Sequence, residues 1–221
     1  PGTSDEGFQI RRKYFATPLA MEHGITSVIM QLPYYGQRRA KGQKSGALTK
    51  VEHMLPQSMG AVRETIAMIR YLREDMNFQG KIGIAGLSFG GSMAALATLF
   101  CPYSVATVAL VPANGPSDAY CEGLMSQCVD WSHYPQSGSN KKAEVSSLLS
   151  MLDIGEYVKQ DNLSHPQTEY NTDRIDQNQD SVLNKDVKKV YMQITALDDQ
   201  YIPLPSAEKL YQGMTKLRNL T

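Results

Sequence analysis

Apolar positions along the chain fall into short runs and longer periodic stretches. Ile25 to Leu32 is rich in β-branched and apolar residues and has the length of a buried strand. Ser58 to Glu74 places Met59, Val62, Ile66 and Ile69 at helical spacing, with Ser58 as N-cap. Lys81 to Leu87 is a second short apolar run, followed by a small-residue helix from Ser92 to Phe100. Ser104 to Val111 reads as a strand stopped by Pro112. Lys188 to Leu197 repeats the strand pattern, with Val190, Met192 and Ile194 on one face, and Leu204 to Leu217 closes as a helix. Residues 5–22 form a further helix candidate of mixed charge. Strands alternating with helices predict an α/β protein with a mostly parallel sheet and right-handed crossovers.

Residues 113–185 break this rhythm. They are polar, enriched in Ser, Asn and Gln, with short apolar pieces such as Val145 to Ile154. The expected organisation is one domain over residues 1–221 with a cap insertion at about 113–185. Pro33 to Gly36 and the basic stretch from Gln37 to Lys50 read as loops. The chain opens at Pro1 inside what looks like a motif and stops soon after a helix. The reading therefore expects parts of the fold to precede and follow these residues.

A length of 221 residues suffices for a sizeable core. The 22 basic and 22 acidic residues give zero formal net charge, which removes any electrostatic case for nucleic acid. Three cysteines (Cys101, Cys121, Cys128) without metal-ligand spacing fit an intracellular, reducing setting and packing roles. No apolar run is long enough to span a bilayer. No metal or cofactor is expected.

The chemistry centres on Gly86-Leu87-Ser88-Phe89-Gly90. A serine between two glycines, after a strand and before a helix, has the pattern of a nucleophile elbow, the turn that exposes the catalytic serine of α/β-hydrolases. Gly86 and Gly90 leave room where side chains would strike the neighbouring strand or helix. The helix N-terminus favours the negative charge that develops in acyl transfer. The competing reading is a phosphate-binding turn, but a Walker lysine and a spaced G-x-G-x-x-G are both absent.

A triad acid is expected after a later strand, and Leu197-Asp198-Asp199-Gln200-Tyr201-Ile202-Pro203 stands there. Its D-x-x-I-P spacing resembles the acid loop of many α/β-hydrolases, which selects Asp199 over Asp198. Both could instead be turn aspartates. The triad order Ser, Asp, His asks for a histidine after Asp199, but the four present are His23, His53, His133 and His165. The simplest expectation places the base beyond Thr221. A base supplied by the cap and a degenerate, inactive hydrolase are the alternatives. For the oxyanion hole, the Phe89 amide and the Thr3 amide are assigned, with Gly2 allowing close approach. Ser4 or Asp5 could also cap the first helix.

Several stretches resemble one family. They are Pro1-Gly2-Thr3-Ser4-Asp5-Glu6-Gly7-Phe8 with Arg11-Arg12, Pro18-Leu19, Gly24-Ile25, and Leu32-Pro33-Tyr34-Tyr35-Gly36-Gln37-Arg38. Met59-Gly60, Glu64, the elbow, Glu122-Gly123-Leu124-Met125-Ser126 and Trp131 continue the match. Together they are similar to the α/β-hydrolase domain-containing protein 18 family. The resemblance covers most of residues 1–131 and the acid loop. It implies a serine hydrolase acting on acyl esters, with lipid substrates and a mitochondrial setting, and a triad of Ser88, Asp199 and a histidine in a C-terminal G-G-H. The sequence departs from the family pattern at Leu32, where a polar residue is expected, and in lacking that histidine.

The resulting expectation is an acyl-ester or lipid hydrolase working through an acyl-enzyme on Ser88. The alternative is a silent hydrolase fold serving as a structural or interaction subunit, with protein partners in a larger assembly.

Overall fold

The computed structural model describes residues 1–43, 48, 50, 53–129, 131, 141–161 and 187–216. The chain begins with a helical stretch in three parts. These are α1 (Gln9–Arg11), a wide π-type turn (Arg12–Ala16) and α2 (Thr17–His23). Gly24 ends α2 in the left-handed region at φ 65°, the usual job of a C-terminal glycine. Neither Ser4 nor Asp5 caps this stretch: the position before α1 is Phe8, which makes no side-chain cap bond.

Residues 25–32 do not form the buried strand expected from their composition. Ile25 and Val28 are exposed, and side chains take the backbone carbonyls that a sheet ladder would have used. Arg11 donates to the Met30 carbonyl at 2.5 Å and Arg38 to the Gln31 carbonyl at 2.7 Å; just past the segment, Gln57 donates to the Pro33 carbonyl at 2.9 Å. Helix α3 (Met54–Arg70) then begins upstream of the expected start. Pro56 lies in its first turn, where a missing N–H costs nothing and the fixed φ suits a helix. Ser58 is therefore an interior, fully buried residue rather than an N-cap. A second wide turn (Tyr71–Asp75) ends this helical segment.

Among the described residues the sheet has three parallel strands: β1 (Gly83–Leu87), β2 (Val105–Leu110) and β3 (Lys189–Ile194), in that order. Leu87 pairs with Leu110, and Leu110 with Ile194, so the three carboxyl ends lie level. Helix α4 (Phe89–Phe100) connects β1 to β2 and packs on both. Its small residues let it lie close to the sheet: Ala95 and Ala97 have no exposed surface. Its polar residues are buried but satisfied. Thr98 donates to the Ala94 carbonyl at 2.7 Å, and Ser92 exchanges hydrogen bonds with the Ala113 backbone at 2.9 and 3.0 Å.

The opposite sheet face carries Val190, Met192 and Ile194 on β3, the shared face expected of them. Those three side chains are exposed, whereas a parallel sheet is ordinarily buried on both faces.

The polar segment after β2 contributes α5 (Lys141–Leu149) and α6 (Ile154–Asp161), and α7 (Leu204–Thr215) follows β3. Val145, Leu149, Ile154, Leu210 and Met214 are buried in the same apolar cluster as α3 and α4. The short apolar pieces of this segment thus join the main core. Cys101 and Cys121 are buried free thiols, raised from the ordinary thiol range chiefly by burial.

Candidate active site

Ser88 sits between β1 and α4 at φ 53°, ψ −120°. A non-glycine residue at positive φ is strained, and neighbouring contacts hold it there. The Ser88 amide donates to the Leu110 carbonyl at 2.8 Å, continuing the ladder past the strand end, and the Ser88 carbonyl accepts from Ser92 at 3.1 Å. The turn is tight enough to demand glycine at two places. A Cβ on Gly86 would overlap the Gly90 carbonyl and lie 2.7 Å from the Gly91 nitrogen. A Cβ on Gly90 would overlap the Pro1 carbonyl, its carbon 3.0 Å away.

The N-terminal loop closes on this turn. A methyl on Gly2 would meet the Leu87 carbonyl oxygen at 3.5 Å and the Ser88 Cβ at 3.7 Å. The peptide joining Gly2 to Thr3 therefore borders the serine, on a loop closed by the Asp5 amide donating to the Gly2 carbonyl at 3.2 Å. Among the described residues, neither the Thr3 amide nor the Phe89 amide has a protein acceptor. Unpaired amides beside a serine at a helix N-terminus are the donors an oxyanion requires.

Residues 30–39 hold this loop in place. Tyr35, buried at 2% exposure, accepts the Ser4 amide on its hydroxyl at 2.8 Å. Burial pushes the Tyr35 phenol up to about 12, so it is neutral at ordinary pH. The Glu6 carboxylate accepts the Gly36 amide at 2.7 Å and pairs with Arg39. Gly7 donates to the Gln31 side chain at 3.1 Å, and Arg11 pairs with Asp5 at 3.0 Å. Spacing could not have revealed this scaffold, because its partners are far apart in the chain. The signal in the sequence was that both sides of the scaffold, Pro1 to Phe8 with Arg11 and Leu32 to Arg38, fall in stretches that carry the family resemblance.

Asp199 lies in the loop after β3, at the same end of the sheet as Ser88 with β2 between them. One carboxylate oxygen, Oδ1, accepts the Tyr201 amide at 2.8 Å and the Ile202 amide at 3.1 Å. This turn fixes the side chain and leaves Oδ2 outside both bonds. Asp198 is exposed. The loop rests on the segment after β2: the Leu124 amide donates to the Gln200 carbonyl at 3.4 Å, and a Cβ on Gly123 would lie 2.7 Å from the Tyr201 carbonyl oxygen.

The two described histidines fall elsewhere. His23 ends α2 and is exposed. His53 precedes α3 and stacks on Tyr34 with ring centres 5.5 Å apart. Among the described residues, no histidine hydrogen-bonds to Ser88 or Asp199. His133 and His165 lie outside the described residues.

A second polar cluster, which spacing did not reveal, lies beyond the end of β2. Asn114 is fully buried and its side-chain oxygen accepts the Gly155 amide at 2.9 Å, while its backbone N–H donates to the Ser206 hydroxyl at 3.0 Å. Asp153 is 5% exposed. It accepts the Ser117 hydroxyl at 3.3 Å and faces Lys209 at 3.9 Å. Burial, with Asp118 adding to it, pushes the Asp153 carboxyl up to about 6. Among the described residues, no three His, Cys, Asp or Glu side chains converge as metal ligands would. No helix there is long and apolar enough to cross a membrane.

A parallel sheet flanked by helices, with a glycine-walled serine turn at the carboxyl end of β1, defines an α/β-hydrolase. The family model for alpha/beta hydrolase domain containing 18 matches residues 1–217, and the chain belongs to that family.

Proposed function

We propose that this protein is a serine hydrolase that cleaves acyl esters through an acyl-enzyme on Ser88. The observation that carries the reading is the strained Ser88 backbone at the strand-to-helix turn, with the Gly2 loop packed against it. In this mechanism the Ser88 hydroxyl attacks the ester carbonyl while a histidine takes its proton. The Phe89 and Thr3 amides stabilise the oxyanion, which is worth about 3–4 kcal/mol per donor in such sites. Asp199 orients the histidine through Oδ2 and stabilises its charged form. The alcohol leaves with the proton from histidine, and water, activated by the same histidine, releases the acid.

Residues 113–185 are the cap of a single domain in this reading and shape the acyl pocket. Lipid esters are the proposed substrates and a mitochondrial setting is part of the same proposal. Both rest on the family resemblance.

The test is hydrolysis of p-nitrophenyl esters of graded chain length by the full-length protein. Turnover that disappears in Ser88→Ala supports the proposal, and equal turnover in the variant contradicts it. The placement of His23 and His53 favours a second reading, a silent hydrolase fold acting as a subunit of a larger assembly. That reading requires the full-length protein to show no Ser88-dependent turnover of any ester in the series.

A further inference from the structure

We propose that Tyr35 is a positioning residue for the oxyanion hole, holding the Gly2–Thr3 peptide against Ser88 through its hydrogen bond to the Ser4 amide. The inference rests on the serine-hydrolase reading above. Tyr35 does not touch the reacting atoms in this account. It acts one residue along the chain from the amide that does.

Three observations converge on it. First, Ser4 adopts φ 62°, the left-handed region, which a non-glycine residue holds only where contacts impose it. The contact at Ser4 itself is the Tyr35 hydroxyl, at 2.8 Å and across 31 residues of chain. Second, the turn from Gly2 to Asp5 is closed by one long backbone bond of 3.2 Å, so the direction of the Thr3 N–H depends on how Ser4 is held. Third, the neighbouring residue Gly36 grips Glu6. Two adjacent residues therefore hold two points of the N-terminal loop, and Tyr35 is the point nearer Thr3.

The chemistry suits the task. A phenol oxygen accepts an amide hydrogen bond without bringing charge. Its neutrality matters beside a site where an oxyanion must form, since a nearby anion would oppose that charge. The raised Tyr35 pKa keeps the oxygen neutral through the working range. The ring, buried in the core cluster, anchors the hydroxyl better than a water or a flexible side chain would. Catalysis depends on donors placed in advance, and small misplacements reduce rate rather than binding.

The test is Tyr35→Phe in the full-length protein, which keeps the ring and removes only the acceptor. The expected result is a kcat reduced about tenfold, with KM within twofold of wild type. Affinity for a trifluoromethyl ketone, whose adduct carries the oxyanion, falls by a similar factor. Should the Phe variant fail to fold, 3-fluorotyrosine placed at position 35 keeps the shape with a weaker acceptor. It shows the same kcat-only loss at smaller amplitude. Wild-type kcat and ketone affinity in the folded variant overturn the role of Tyr35 while leaving Ser88 catalysis intact. A loss confined to KM overturns it equally. If the wild-type protein itself shows no Ser88-dependent hydrolysis, this inference and the proposed function fall together.

Discussion

Gly2 stands against Ser88 so closely that a methyl group on Gly2 would lie 3.7 Å from the Ser88 Cβ. Eighty-odd residues of chain separate them, yet the contact joins two local motifs. The strand-to-helix turn presents a hydroxyl and one amide. The N-terminal loop packs against it, held by residues 30–39, and in the proposed mechanism supplies a second amide.

The closeness of the turn gives the first prediction. Gly86→Ala forces a side chain into the Gly90 carbonyl, which is backbone and cannot turn aside. The variant should lose at least about 3 kcal/mol. For a chain of this size that is a drop of roughly 10 °C in melting temperature, measurable by differential scanning fluorimetry. A melting point equal to wild type would mean that the turn is looser than described.

Strain at the serine predicts the reverse effect one position from the strand end. Ser88→Gly removes the side chain that makes φ 53° unfavourable. Relief of about 1–3 kcal/mol is partly offset by the greater freedom of glycine in the unfolded chain. A net gain of about 1 kcal/mol is expected in urea unfolding, together with complete loss of ester turnover. Such a variant would be more stable than the wild type and inert, as expected where strain serves function.

Asp199 offers a clean separation of rate from stability. Asp199→Asn retains an oxygen to accept the Tyr201 and Ile202 amides, so the turn should survive with a stability change within about 0.5 kcal/mol. Ester turnover should fall by about 10³ to 10⁴-fold, because an amide neither enforces the tautomer nor stabilises the imidazolium. Asp198→Asn should retain near-wild-type kcat. Equal losses at both positions would remove Asp199 from the triad.

The buried Asp153 predicts a pH effect with a definite sign. Its carboxyl is raised from 3.8 to about 6 in the folded protein. Between those values the native state holds a proton that the unfolded chain has released. Stability therefore falls as pH rises through this window, and the full penalty is present above pH 6. The shift corresponds to about 3 kcal/mol at most. Asp153→Asn has no such penalty, so its stability relative to wild type should improve by about 2 kcal/mol between pH 4 and pH 7. Urea titrations of both proteins at the two pH values measure this directly. Parallel pH profiles would show that Lys209, at 3.9 Å, compensates the buried charge.

The elbow was legible in the sequence because its physics is local. Two glycines and a serine after an apolar run admit few other shapes, and β1, α4, β2 and β3 followed from hydrophobic pattern. The loop that carries Asp199 was legible as the turn between β3 and α7, whereas the choice of Asp199 over Asp198 came from the resemblance of its D-x-x-I-P spacing. What failed depended on partners distant in the chain. Ile25 to Leu32 has strand composition, but Arg11 and Arg38 occupy its Met30 and Gln31 carbonyls and no ladder forms among the described residues. Ser58 looked like a cap because polar residues often are, whereas Pro56 lets α3 start earlier and buries it. The Tyr35 to Ser4 bond and the Asn114 to Gly155 bond each join residues with no periodic relation. No pattern along the sequence could announce them.

The central claim is that Ser88 is a nucleophile, and covalent capture tests it most directly. Full-length protein treated with a fluorophosphonate should gain the mass of one adduct, and peptide mapping should place it on Ser88. Ser88→Ala should gain none. An unmodified wild-type protein under conditions that label a control serine hydrolase, or an adduct on a residue other than Ser88, would contradict the account.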